Sequence, residues 1–189
     1  MAINPLAWCD ESIVKEHGST SSRYLIGASL CGLDEKTIRT FFIKEHLVKR
    51  TKAHWHDMTL PERRKSIAFI DGLNLVHIVA SVEFTSGITR PERARRRCLE
   101  HLLPVLEQDY SVAQVFMEGR TKQQNNAEIT FIQGLRSRGF FRVLRYDLMP
   151  GSQDARLWIP DQILGAVGSA DRSLFHPQNV IRLPTTSII

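Results

Sequence analysis

Two apolar runs near the amino terminus decide the fold: Pro5-Leu-Ala-Trp-Cys-Asp10 and Arg23-Tyr-Leu-Ile-Gly-Ala-Ser-Leu-Cys31. The first run is short and ends in an acid. The second is apolar on both faces, which is typical of a strand that is covered on both sides of its sheet. Loop-forming residues at 18–22 separate the two runs, so the pattern predicts a β-hairpin.

Outward from this hairpin, helical and strand patterns alternate. Strands are predicted at 75–84, 112–118 and 141–146, helices at 34–47, 59–73, 90–109, 127–138 and 157–168, and an extended tail at 175–189. The first two helices form an insertion at about 34–73, between the second and third strands. The length of 189 residues fits one domain. The predicted fold class is α/β: a mixed sheet of about five strands, three antiparallel and two added parallel, flanked by helices.

Composition excludes several classes of protein. Hydrophobic residues make up 42% and charged residues 24%, as in an ordinary globular protein and unlike a disordered chain. The three cysteines are an odd number with apolar neighbours, which favours reduced thiols in a cytoplasmic protein. No apolar stretch approaches the about 20 residues that a bilayer requires, and the start of the chain does not resemble a signal peptide. We therefore expect a cytoplasmic protein without a membrane partner.

The formal net charge is +5. Such a charge is compatible with a polyanionic partner such as nucleic acid, but many basic proteins bind none. Charge alone therefore does not identify the partner.

Two acids end the apolar faces of two predicted strands. Asp10 follows Leu6 and Trp8 on one face of the first strand, and Glu118 ends one face of the strand at 112–118. If these strands are parallel neighbours, the two carboxylates lie side by side at one edge of the sheet. Ligands bind at that edge in open α/β sheets.

A third acid is predicted to point towards the same edge. Asp161 shares a helical stripe with Gly165 and Gly168, at i, i+4 and i+7. Glycine costs a helix about 1 kcal/mol, so two on one stripe indicate a helix that packs closely on the sheet. The aspartate would then face inward, towards the strand ends.

Three converging carboxylates would repel one another and raise at least one pKa. A divalent cation such as Mg²⁺ or Mn²⁺ would relieve this repulsion, and a pair of such ions can activate water against a phosphodiester. We therefore expect Asp10, Glu118 and Asp161 to be metal ligands and catalytic residues. The alternative is a strand-end acid, a loop acid and a helix-start acid with no common site.

The motifs resemble an uncharacterised prokaryotic group within the RNase H-like fold. That group has an Asp-Glu-Ser first strand and a final helix of the form Trp-x-x-Asp-x-x-x-Gly-Ala-Val. Here the opening is Cys9-Asp-Glu-Ser12 and the closing is Leu157-Trp-Ile-Pro-Asp-Gln-Ile-Leu-Gly-Ala-Val167. The similarity extends to His54-Trp-His-Asp57, to Glu92-Arg-Ala-Arg-Arg-Arg-Cys-Leu-Glu100 and to Phe116-Met-Glu-Gly-Arg120.

The resemblance implies a metal-dependent nuclease that acts on RNA or DNA, with its acids at Asp10, Glu118 and Asp161. RNase H-like enzymes usually carry a fourth acid. Here none matches it, because Glu11 is expected to face the opposite side of its strand. A second hypothesis is therefore an inactive RNase H-like module. Such a module would bind nucleic acid, a partner protein or a second copy of itself, for example in a toxin–antitoxin or defence pair.

Basic residues near the acids are candidates for substrate contact. Arg120 and Lys122 follow Glu118 directly, and residues 121–126 are predicted to form a substrate loop. Lys52 and His54 are expected beside the acidic edge, where either could touch a phosphate.

Other patterns leave alternatives open. His54, His56 and Asp57 have the spacing of a transition-metal site, although no further zinc-spaced pair exists. Asp71-Gly-Leu-Asn74 resembles the strand end of PIN-like nucleases, or else the end of an amphipathic helix.

Arginines and tryptophans also allow two interpretations. The basic run consists of Arg90, Arg93, Arg95, Arg96 and Arg97. It is either a solvated helix face or a ridge that tracks phosphates. Trp55 and Trp158 either stack on bases or pack in the interior.

Overall fold

The computed structural model describes residues 5–15, 18–85, 87, 90–169 and 179–188. The strands are β1 (Leu6–Lys15), β2 (Ser21–Leu30), β3 (Val76–Thr85), β4 (Gln114–Glu118), β5 (Arg145–Met149), β6 (Val180–Arg182) and β7 (Thr186–Ile188). The helices are α1 (Glu35–Lys44), α2 (Leu60–Gly72), α3 (Pro91–Gln108), α4 (Lys122–Ser137) and α5 (Trp158–Gly168), with short 3-10 turns at Trp55–Asp57 and Ala155–Leu157. No helix in the described part of the chain is long and apolar enough to span a membrane.

The strands form one mixed sheet in the order β5-β4-β1-β2-β3-β6, with β7 also beside β3. β1, β2 and β3 are antiparallel, whereas β4 and β5 extend the sheet in parallel from β1. This confirms the predicted arrangement of three antiparallel and two parallel strands, which the resemblance to the RNase H-like fold implies. Within the described ranges the sheet has seven strands rather than five, because the tail adds β6 and β7 parallel to β3. Residues 170–178 and 189 lie outside the described part.

Each face of the sheet has its own apolar core. On one face, Ala7 and Cys9 of β1 pack in the cluster that contains α3 and α4. On the other face, Trp8 packs in the cluster that contains α1, α2 and α5. The alternation of side chains along β1 therefore determines which helices each residue meets.

β1 is longer than predicted, and Asp10 is not its last residue. Its pairing with β2 continues from Ala7 opposite Leu30 to Lys15 opposite Ser22. Its pairing with β4 covers only Leu6 to Cys9. The polar residues after Asp10 remain in the strand because β2 supplies hydrogen bonds along the whole length.

Two further boundaries differ from the prediction. Residues 121–126 are not a loop: Thr121 caps α4, and its side chain and that of Gln124 form a capping box. The fifth strand lies at Arg145–Met149 rather than 141–146. Phe141 and Leu144 are fully buried but lie before the strand. Their apolar character reflects the core and not strand pairing.

Candidate functional site

The register of β1 and β4 brings Asp10 close to Glu118. Cys9 pairs with Met117, so the next residue of each strand is an acid. Both acids lie on the face of Trp8 and Phe116, whose rings stack with centroids 4.4 Å apart. Asp10 is only 8% exposed. The two carboxylates are therefore neighbours because this register sets position 10 of β1 beside position 118 of β4.

Asp161 comes from the first turn of α5, which packs across β1 and β2. Its Oδ2 accepts hydrogen bonds from the backbone N–H of Trp55 at 2.7 Å and from Nε2 of Gln162 at 3.0 Å. One turn later, a Cβ on Gly165 would overlap the indole ring of Trp55, and a Cβ on Gly168 would press on Val14. The glycine stripe thus lets α5 pack closely on its neighbours. Gly165 lies against the 3-10 turn at Trp55–Asp57, and Gly168 lies against β1.

The three acids are electrostatically coupled. Burial raises the pKa of Asp10 well above its ordinary value, and the negative charges of Asp161 and then Glu118 raise it further. Lys52 and Arg95 oppose this shift in part. Burial and the neighbouring negative charges therefore disfavour the ionised form of Asp10.

Lys52 supplies a cation among these acids. Its Nζ donates to both carboxylate oxygens of Glu118, at 2.6 and 2.8 Å. Burial alone would lower the pKa of Lys52, but the hydrogen bond to Glu118 and the charges of Glu118, Asp10 and Asp161 raise it. One ammonium group thus interacts with all three acids.

His54 lies beside Asp161. Its Nδ1 is 3.2 Å from Oδ1 and 3.3 Å from Oδ2 of that carboxylate. This hydrogen bond raises the pKa of His54 despite the opposing effect of burial. The ring of His56 lies 5.6 Å from that of His54, edge to face.

The structure does not bring Arg120 and Lys122 to the acids. Arg120 lies on the opposite face of the sheet, where it donates to Glu92 at 2.8 Å and to Glu128 at 2.8 Å. Lys122 is the exposed first residue of α4. Asp71 is likewise exposed, in the last turn of α2, so the stretch that resembles a PIN-like strand end is a helix end.

A buried ionic network on that opposite face was not predicted. Arg95 is fully buried and donates from Nε and Nη2 to Glu128, at 2.7 and 2.9 Å. The hydroxyl of Tyr146 also donates to Glu128, and Nη1 of Arg95 contacts Glu11. The sequence carried a signal for this: Arg95 lies three and four residues before the buried Cys98 and Leu99, on the inward face of α3.

This network determines where Glu11 points. Glu11 faces away from Asp10, as expected, and it accepts a hydrogen bond from the hydroxyl of Tyr24 at 2.6 Å. It is therefore not a fourth acid of the cluster. The arginine run is also not uniform, because Arg95 is buried while Arg96 and Arg97 are exposed. Both tryptophans in question, Trp55 and Trp158, are buried.

The oxygen donors are of the kind that Mg²⁺ and Mn²⁺ prefer. As the side chains lie, however, no group of three or more His, Cys, Asp or Glu residues in the described ranges is arranged to hold a metal ion. Glu118 is bound to Lys52 instead, and Asp161 to the Trp55 N–H and His54. The chemistry of the donors fits a divalent cation, and Lys52 provides the balancing charge.

Comparisons with known proteins add little. No protein-family model matches the sequence, and no curated protein matches it significantly. Among solved structures, a chain of the PCNA:RNase HII complex from Archaeoglobus fulgidus is similar at 14% sequence identity, with a TM-score of 0.49. The similarity covers 86% of this chain and 71% of that chain. At this identity and score, it supports no conclusion about activity.

Proposed function

We propose that this protein is a nuclease that depends on a divalent metal, Mg²⁺ or Mn²⁺, and hydrolyses phosphodiester bonds of nucleic acid. The observation that carries the proposal is the strand register that sets Asp10 beside Glu118, together with the Lys52 ammonium, which donates to both oxygens of Glu118 at 2.6 and 2.8 Å. A partly buried group of acids that already holds one cation is suited to bind cations.

Each residue would have a distinct role. Asp10, Glu118 and Asp161 would hold the metal. The metal, when bound, would activate a water and stabilise the leaving oxygen. Lys52 would be displaced from Glu118 and would then contact a substrate phosphate. His54 has Nδ1 against Asp161, which leaves Nε2 to exchange a proton with the substrate.

Cleavage assays test this proposal. Single-stranded and duplex RNA and DNA are incubated with Mg²⁺, Mn²⁺ or EDTA. We expect metal-dependent cleavage that is lost in Asp10→Asn and in Asp161→Asn. The matched control is Asp71→Asn, which removes an exposed carboxylate from α2 and should leave cleavage unchanged. Cleavage that survives both substitutions in the cluster would overturn the proposal.

A second candidate is an RNase H-like module that binds nucleic acid without cleaving it. Two observations favour it: Glu11 is engaged on the other face, and no metal-holding group exists among the described side chains as they lie. Calorimetric titration with Mn²⁺ distinguishes the two functions. A nuclease should take up the ion in the wild type and lose this uptake in Asp10→Asn, whereas the module should show no uptake in either.

A further inference from the structure

A groove runs from Asp161 along the second half of β1. It consists of two adjoining cavities of about 320 and 280 Å³, which share wall residues from β1 and the 3-10 turn, among them Ser12 and His56. Asp161 lines the nearer cavity, and Lys15 and Arg63 line the farther one. The groove is thus continuous with the candidate site.

The topology explains why this groove is open. β4 ends at Glu118, so in the described ranges β1 has a strand partner only on its β2 side from Asp10 onward. α5 and the 3-10 turn at Trp55–Asp57 form the opposite wall. The edge of a sheet beside its candidate site is therefore accessible.

The charge of the walls changes along the groove. The nearer cavity is lined by Asp161, His54 and His56, and also by Glu11, whose carboxylate is already bound to Tyr24 and Arg95. The farther cavity contains no acid, and its charged or titratable side chains are Lys15, His56 and Arg63. A polyanion that lies in the groove would meet cations at one end and the acidic cluster at the other.

The guanidinium of Arg63, which lines the farther cavity, is already held in position by Trp55. This guanidinium lies 4.8 Å from the centre of the Trp55 ring, and its Nε donates to the backbone carbonyl of Trp55 at 3.2 Å. No acid among the described residues forms an ion pair with it. In contrast, Arg95 and Arg120 are bound to carboxylates. Arg63 is therefore held in place while most of its N–H donors stay available.

We propose that this groove binds the phosphodiester backbone of a single nucleic-acid strand, with Arg63 as the main phosphate contact and with Lys15 and His56 beside it. The inference rests on the proposed function, because the strand would reach the acids through the nearer cavity. Arginine suits this role because its planar donors match phosphate oxygens and its face stacks on an aromatic ring.

The test measures binding rather than cleavage. A fluorescent single-stranded oligonucleotide is titrated in EDTA at several NaCl concentrations, and the slope of log K against log[salt] is determined. Loss of one phosphate contact should reduce this slope by about 0.7. We expect that reduction, with weaker binding, in Arg63→Gln. Arg63→Lys should keep the slope, because it keeps the charge.

Arg64→Gln is the matched control. It removes the same charge one residue away, from an exposed side chain that does not line the groove. Its slope should equal that of the wild type. Thermal melts of all three variants check that they are folded.

The outcomes separate the two proposals. If Arg63→Gln and Arg64→Gln change the slope equally, or not at all, the groove assignment is wrong, whatever the cleavage assay shows. The same holds if the wild type binds no oligonucleotide at low salt. If the slopes differ as expected but no metal-dependent cleavage occurs, the groove assignment stands and the nuclease proposal fails.

Discussion

Neutralisation of Glu128 should strongly destabilise this protein. The Glu128 carboxylate is 2% exposed and accepts hydrogen bonds from Arg95, Arg120 and the hydroxyl of Tyr146. The substitution Glu128→Gln keeps the shape of the side chain but removes its charge. Two arginines then lose a shared counter-ion: Arg95, which is fully buried, keeps only its contact with Glu11, and Arg120 keeps only Glu92.

The size of the effect follows from burial. Removal of one partner from a buried ion pair costs about 3–5 kcal/mol, because the remaining charge stays buried without compensation. Here Glu11 and Glu92 still offset part of the arginine charge, and the glutamine still accepts one hydrogen bond, so we expect the lower end of this range, about 3 kcal/mol. For a chain of this length each kcal/mol lowers Tm by about 2–4 °C, which predicts a decrease of about 6–12 °C.

The assay is thermal unfolding at pH 7, with Glu92→Gln as the matched control. Glu92 binds the same Arg120, but 36% of its side chain is exposed. Exposed pairs contribute only about 0–1 kcal/mol, so this control should change Tm by less than about 4 °C. Equal changes in the two variants would refute the view that Glu128 is the centre of a buried network.

The effect should also depend on pH. Burial by itself would raise the pKa of Glu128, but its hydrogen bond to Arg95 and the charge of that arginine lower it below the ordinary value of 4.5. A carboxylate with a lowered pKa stabilises the fold above its unfolded pKa, and this stabilisation is lost as the pH falls through the folded pKa. The difference in Tm between the wild type and Glu128→Gln should therefore shrink below about pH 4.

Three further substitutions test the packing and charge balance of the candidate site by the same melts. Asp10→Asn should raise Tm at neutral pH in EDTA, because it removes a buried carboxylate that is unfavourably charged. Burial and two neighbouring acids raise the pKa of this carboxylate above its ordinary value. A decrease in Tm would contradict that charge imbalance. Lys52→Met should lower stability by about 1.5–3 kcal/mol, the contribution of a hydrogen bond to a charged group, and an unchanged Tm would show that Lys52 does not balance the acids. Gly165→Ala should lower stability by about 1–3 kcal/mol because an indole ring occupies the space of the new methyl group. Its control Gly134→Ala, where a Cβ meets nothing within 4 Å inside α4, should raise stability by about 0.5–1 kcal/mol.

Local patterns of this chain predict its elements and their order well. A run that is apolar on both faces identifies β2, and the capped start at Thr59 identifies α2, because both signals depend only on residues near in sequence. The same reasoning missed the start of α4, although the capping residues Thr121 and Gln124 are visible in the sequence. It misplaced β5 because a buried apolar run before a strand has the composition of a strand.

The candidate site could be predicted only in part. A period of two along β1 is enough to expect Asp10 and Glu11 on opposite faces. Nothing in the sequence near Arg120 indicates that it binds Glu92 and Glu128 instead of facing the acids. Its environment depends on α3 and α4, which are distant in sequence.

The sequence by itself determined the alternation of strands and helices and the acids at Asp10, Glu118 and Asp161, since these depend on residue type and local periodicity. Only the tertiary structure decided their partners. It paired Lys52 with Glu118 and set Arg63 on Trp55 along an open edge of β1. The physical reason is that a charged side chain takes its pKa and its partners from whatever the fold packs beside it, and this depends on strand register and helix packing across the whole chain.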